Sequence, residues 1–154
     1  MPTNTNNEAA ARLRLEDWAK AMRAMDIDAI MACYAPNAVS YDCHSAFEFR
    51  GVDAHRQHLE ACFPYMKGPI TFDIHELEIV AQDDVAFCHF TVHCGCTGHD
   101  GQEHWSWLRS TTGLRQIDGQ WLIAHDHCSA PFDPMSNQAM LDAGPEHLKR
   151  QRAA

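Results

Sequence analysis

The residues in this chain best suited to chemistry are its histidines, eleven of them, spread along the sequence rather than gathered into a terminal tract. Several fall in stretches with the period-two alternation of β-strands: His89 and His93 in one, Arg109 in the next, and His125 and His127 in a third. Successive side chains on a strand point to opposite faces, so Val85, Phe87, His89, Thr91 and His93 share a face. By the same rule Trp105, Trp107, Arg109 and Thr111 share one, as do Trp121, Ile123, His125 and His127. If the faces carrying Phe87, Trp107 and Trp121 look toward covering helices, then His89, His93, Arg109, His125 and His127 converge on one concavity. A buried guanidinium requires an acceptor, and Asp42, at the end of an earlier strand, is the nearest carboxylate by topology. Imidazoles titrate near neutral pH, so such a cluster beside a carboxylate is suited to moving protons.

Two rival readings use the same residues, and a third concerns the cysteines. His89 with the same-face pair His125 and His127 could supply three ligands to a divalent transition metal such as zinc, leaving an open position. Any one histidine could equally be a hydrogen-bonded filler, since buried polar groups must find partners. Cys43, Cys62 and Cys128 lack a glycine-rich elbow or oxyanion loop, which leaves nucleophilic catalysis unsupported and reads them as small core residues. Trp18, Tyr41, Phe63, His93 and Trp107 are the side chains expected to line a substrate pocket, Trp18 and Phe63 doubling as core.

The elements that must position these groups follow from periodicity and turn chemistry. After about seven polar residues, Ala11, Leu15, Trp18, Met22 and Met25 recur at helical spacing. Asp26 and Asp28 offer capping oxygens to a short second helix that Pro36 cannot continue, ending near Tyr34. Ala38–Asp42 and Phe47–Phe49 read as strands around Asp42-Cys43-His44-Ser45, and Val52, His55, Leu59, Cys62, Phe63 and Met66 define a third helix closed by Lys67-Gly68-Pro69. From Ile70 onward, turns at Gln82-Asp83-Asp84, Gly98–Gly101 and Asp118-Gly119 separate four long strands. Ile70, Phe72 and Ile74 have one parity and Leu77 and Ile79 the other, which predicts a β-bulge that bends the sheet. The result is an α+β cone: a curved antiparallel sheet with three N-terminal helices and a pocket between them.

The whole chain, 1–154, reads as one domain with an ordered core of about 8–134 and a polar tail, 135–154, with room for one short helix. A net charge of -9 disfavours nucleic acid and anionic lipid, and no apolar run approaches a membrane span, so a small-molecule ligand is expected. Seven cysteines, an odd number without a disulfide framework, and an N-terminus without a secretory pattern point to reduced thiols in the cytoplasm.

The run from Trp18 to Val39, Phe49-Arg50-Gly51-Val52-Asp53-Ala54-His55-Arg56, Asp83–Phe87 and Asp118–Ser129 together resemble the SnoaL-like, ketosteroid isomerase-like group of the nuclear transport factor two superfamily. The resemblance runs from about Leu15 to Pro134 and implies the same cone. In ketosteroid isomerase an aspartate base moves a proton next to a carbonyl while Tyr and protonated Asp donors stabilise the oxyanion. Asp42 falls where that base would lie; the two donors have no clear equivalents, and His and Arg stand in their stead. The expected activity is therefore cofactor-independent isomerase or lyase chemistry on a carbonyl or enol compound. Asp42 would be the general base and Arg109 the oxyanion partner, with His89, His125 or His127 assisting. A non-catalytic ligand-binding module and, from the histidines ending at Ser129, an iota-type carbonic anhydrase-like lyase are the alternatives. Proteins resembling this one pair sheet to sheet, which implies a homodimer.

Overall fold

A computed structural model describes residues 5–43 and 46–145. His44, Ser45 and the end of the tail lie outside the described residues.

Helix α1 (Thr5–Ala24) buries Ala11, Leu15 and Trp18, with Met22 packed beside them, as the apolar stripe predicts. It begins earlier than its polar start suggests. Met25, in the left-handed region at φ 55°, reverses the chain without a glycine. Asp26 then caps α2 (Ile27–Met31), its carboxylate accepting from the Ala29 amide at 3.0 Å. Strand β1 (Tyr34–Tyr41) starts four residues before the expected Ala38 and passes through Pro36, where its register against its neighbour shifts. A two-residue strand, β2 (Phe49–Arg50), leads to Gly51 at φ 80°, where a Cβ would stand 3.3 Å from the Pro36 carbonyl oxygen. That tight passage opens α3 (Val52–Cys62), which one 3-10 turn, Phe63–Tyr65, ends before the expected Met66.

Four long strands follow: β3 (Met66–Gln82), β4 (Val85–Gly98), β5 (Glu103–Ile117) and β6 (Gln120–Ser129). The connections fall at the predicted turns, Asp118 and Gly119 both adopting positive φ as a tight hairpin requires. The predicted bulge is present: the β3–β4 register shifts between His75 and Glu78, around Glu76 at φ 53°. The sheet order is β2-β1-β6-β5-β4-β3. It is mixed rather than wholly antiparallel, because β1 runs parallel to β6. The tail returns as a small hairpin of β7 (Phe132–Asp133) and β8 (Gln138–Ala139), and the Trp107 amide donates to the Leu141 carbonyl at 2.7 Å.

The helices cover the face bearing Ala86, Cys88, Phe90 and Val92 of β4 and Leu108, Ser110, Thr112 and Leu114 of β5, all buried. This reverses the expected assignment: Phe87 is 53% and Trp105 46% exposed on the opposite face. The helix layer supplies its own bulk, with Trp18 edge-on to Phe72 at 5.0 Å and to Phe90 at 6.4 Å, so much of the facing sheet is small side chains. Large aromatics therefore stand on both faces and do not by themselves tell the inner from the outer.

Candidate active site

Strand β6 decides which polar groups meet the helices. Leu114 of β5 pairs with Ile123 and Gly113 pairs with His125, so Ala124 is an extra residue in the ladder. The bulge leaves Trp121 and Ile123 buried on the inner face, turns His125 and His127 outward, and sets Asp126 opposite the buried Thr112. Asp126 therefore enters the concavity in place of its histidine neighbours. From β1, paired to β6 in parallel, come Tyr34 and Ser40, both buried. Across from them α3 presents His55 and His58, three residues apart and so on one face. His55 packs edge-on to Tyr34 at 4.9 Å and stacks on Phe49 at 5.7 Å, and His58 lies 4.5 Å from the same Phe49 ring.

The Tyr34 hydroxyl donates to Asp126 Oδ2 at 3.0 Å. Asp126 Oδ1, His55 Nδ1, Thr112 Oγ1 and Trp18 Nε1 are buried with no hydrogen-bond partner among the described residues. Buried polar atoms are almost always satisfied, so this concentration of open valences beneath one helix layer sets the region apart from the rest of the core. Burial pushes the Asp126 carboxyl above the usual carboxylate range, opposed by the Ser40 and Tyr34 hydroxyls and by His55. Burial also pulls His55 below the usual imidazole value, against the attraction of Asp126 and Asp42. Tyr34 is raised well above the ordinary phenol value, by burial first and then by Asp126. Desolvation thus outweighs mutual attraction throughout: the carboxyl and phenol resist losing protons, and the imidazole resists gaining one.

A second pair stands nearer solvent. His58 Nε2 lies 3.5 Å from Asp42 Oδ2, their side chains 12% and 26% exposed. Cys62 Sγ is nearly equidistant from both nitrogens of His58, at 3.6 and 3.7 Å, a placement that does not form a directed thiol–imidazole pair. Asp42 also raises Tyr34, Asp126, Cys94 and Cys128 electrostatically, which marks it as a neighbour of the buried cluster.

Of the residues singled out above, Asp42, Trp18 and Phe63 lie on the helix side. His89, His93, Trp107, Arg109, His125, His127 and Tyr41 do not; they occupy the outer face, a correction of the expected convergence. Arg109 donates to the Ala130 carbonyl at 3.2 Å and does not meet Asp42. His89 faces Glu78 at 3.4 Å and, with Arg109, lines an open depression beside the β3 bulge. His125 Nδ1 bonds the Val39 carbonyl at 2.7 Å, and Tyr41 packs edge-on to His125 and His127 at 5.0 and 5.8 Å. His93 stacks between Trp105 and Trp107 at 5.1 and 4.6 Å. Among the described residues no three His, Cys, Asp or Glu side chains gather as a metal site would require, His89, His125 and His127 included. The groups not foreseen are Asp126, His55, His58, Tyr34, Ser40 and Thr112. His55 and His58, at helical spacing, carried a readable signal; Asp126 was hidden by the bulge.

A curved mixed sheet closed on one side by three helices, with its polar groups in the concavity, defines the nuclear transport factor 2-like cone. The SnoaL-like domain model matches residues 12–133, and the chain belongs to that family. It is similar over 94% of its length, at 35% identity and a TM-score of 0.86, to the whole of a nuclear transport factor 2-like protein of unknown function from Pseudomonas putida. A ketosteroid isomerase-like protein from Erwinia carotovora atroseptica is 19% identical, with 80% of this chain and 95% of that one covered and a TM-score of 0.70. A superfamily member from Salmonella enterica is 15% identical over 84% of this chain and 94% of its own, with a TM-score of 0.74. The last two show the fold alone. No curated protein sequence matches the chain.

Proposed function

We propose that this protein is a small-molecule enzyme of the ketosteroid isomerase-like type. It transfers protons on a carbonyl or enol compound bound between helices and sheet, in the isomerase or lyase class and without an organic cofactor. The observation that carries the reading is the presence of two buried open valences with opposite tendencies: Asp126 Oδ1, on a carboxyl that burial makes hold its proton more tightly, and His55 Nδ1, on an imidazole that burial makes resist gaining one. A neutral imidazole accepts the proton adjacent to the carbonyl, and a protonated carboxyl steadied by Tyr34 donates to the oxyanion that develops. Asp42 with His58, closer to solvent, returns the proton to water or to the second carbon. Asp126 and Tyr34 thus take the place expected of Arg109.

The experiment is exchange of the α-hydrogens of cyclohexanone for solvent deuterium, followed by NMR, in the wild type and in His55→Gln and Asp42→Asn. Enzyme-dependent exchange that fails in His55→Gln supports the reading. Binding of the ketone without exchange in the wild type would favour the alternative of a ligand-binding module, which the same open valences would serve.

Two further parts belong to this proposal. Val80, Val85, Phe87 and Trp105 are each between 46% and 57% exposed on or beside the outer sheet face, and a second copy packed sheet to sheet would cover them. Seven thiols fit a reducing, cytoplasmic setting. Among the described residues no helix is long and apolar enough to cross a membrane.

A further inference from the structure

The proton-transfer reading leaves one group of reactive side chains unused. Cys43, just beyond the end of β1, and Cys128, near the end of β6, bring their sulfurs to 3.7 Å although 85 positions separate them in the chain. All seven cysteines are thiols, and both of these are partly exposed. Tyr41 aligns with His127, so a continued register would set Asp42 beside Cys128 and Cys43 beside Ser129; β1 ends at Tyr41, and beyond it the chain brings the Cys43 sulfur to that of Cys128. Cys94 of β4 lies close enough for Cys43 to influence it electrostatically, but its sulfur donates instead to the Ser106 carbonyl at 3.7 Å.

We propose that Cys43 and Cys128 form a reversible thiol–disulfide site whose co-substrate is a low-molecular-weight disulfide. The hydrogen bond with Cys43, and burial after it, push the Cys128 thiol far up, so Cys128 keeps its proton and Cys43 is the sulfur that attacks first. The Cys43 thiolate displaces one thiolate from the small disulfide and forms a mixed disulfide. Cys128 then gives up its proton and attacks the Cys43 sulfur, releasing the second small thiolate. Two protein thiols are oxidised to one disulfide, the small disulfide is reduced to two thiols, and the protons leave on those thiols. A sulfur–sulfur separation of 3.7 Å leaves a short approach to the roughly 2.05 Å of a disulfide bond. The bond would tie the residue after Asp42 to the residue two beyond Asp126, joining the two carboxylate-bearing arms of the concavity. That last consequence rests on the proposed function; formation of the bond does not.

The test uses the full chain incubated with oxidised glutathione, then alkylated and mapped by peptide mass spectrometry, with thermal melting alongside. The expected result is one intramolecular bond between Cys43 and Cys128 and a melting temperature higher by roughly 5–10 °C, since a long loop is closed. Dithiothreitol should reverse both, and both should be absent in Cys43→Ser. Glutathione left as an unresolved adduct, a bond to Cys94 or another cysteine, or no bond at all would overturn the proposal. The map is read on unmutated protein, so misfolding of the variant does not weaken it, and it needs no turnover.

Discussion

Replacement of Asp126 by Asn separates the chemistry of the buried carboxyl from its packing. In the wild type Oδ2 accepts from Tyr34 at 3.0 Å and Oδ1 has no partner. An amide oxygen retains the first bond, and the amide nitrogen takes the orphan position, exchanging one unsatisfied buried group for another. Each such group costs about 1–3 kcal/mol, so the exchange nearly cancels and the melting temperature at neutral pH should stay within about 5 °C of wild type. The pH dependence has a definite sign. Burial raises the folded-state value of Asp126 above the ordinary 3.8, so the native state binds this proton more tightly than the unfolded chain. Wild-type stability therefore falls as pH rises from about that ordinary value through the folded one and stays lowered above it, whereas the Asn variant lacks this loss. The variant should gain on wild type across that window. The amide N–H still donates a hydrogen bond but cannot give up its proton as a carboxyl can, so cyclohexanone exchange should slow by roughly 10²-fold, about 3 kcal/mol of barrier. Melting from pH 3 upward and NMR exchange rates measure the two halves. A variant that exchanges at the wild-type rate, or a stability gap that widens toward acid, would refute the assignment.

The neutral imidazole sets a second expectation. Because burial lowers His55 below its ordinary 6.5, the exchange rate should hold as pH falls through that value and decline only further into acid, a profile read directly from kcat/KM against pH. Arg109→Ala should leave exchange unchanged, since its guanidinium bonds the Ala130 carbonyl on the outer face; a loss beyond about tenfold, or 1.4 kcal/mol, would return Arg109 to the site. Phe87→Glu places a charge amid the exposed outer face and should shift light-scattering mass from dimer to monomer with little change in helix content.

Much of the fold was legible because its signals are local. The stripe from Ala11 to Trp18, the Asp26 cap, the turn residues at 82–84 and 118–119, and the parity change between Ile74 and Leu77 each act over a few residues. The start of β1 at Tyr34 was not legible, because only the register shift against β6 lets a strand run through Pro36. The choice of face in β4 and β5 was not legible either. Alternation gives two sets of side chains, and which set the helices cover depends on Trp18 filling the space over Cys88, Phe90 and Val92. Asp42 was placed correctly beside the concavity because it closes a strand. Its partner was not, because His58 comes from a helix that meets β1 only in three dimensions.

The misreading of β6 has a cause that can be tested by itself. Strict alternation from Trp121 puts His125 and His127 inside and Asp126 outside; the structure has the opposite, because Ala124 is an extra residue between the Ile123 and His125 pairs. Removing Ala124 would leave Ile123 inward, His125 outward and Asp126 inward with no bulge. Its deletion should therefore preserve the buried face while straightening the strand, and shift melting by only a few degrees. Deleting Thr112 on the facing strand carries no such compensation, because every side chain beyond it changes faces and Ser110 and Leu108 turn away from the helices. That variant should lose cooperative melting. Equal tolerance of the two deletions would mean that the inward placement of Asp126 is set by something other than the bulge. The unpaired Ala124 is thus what keeps Asp126, rather than His125 and His127, on the helix side of the sheet.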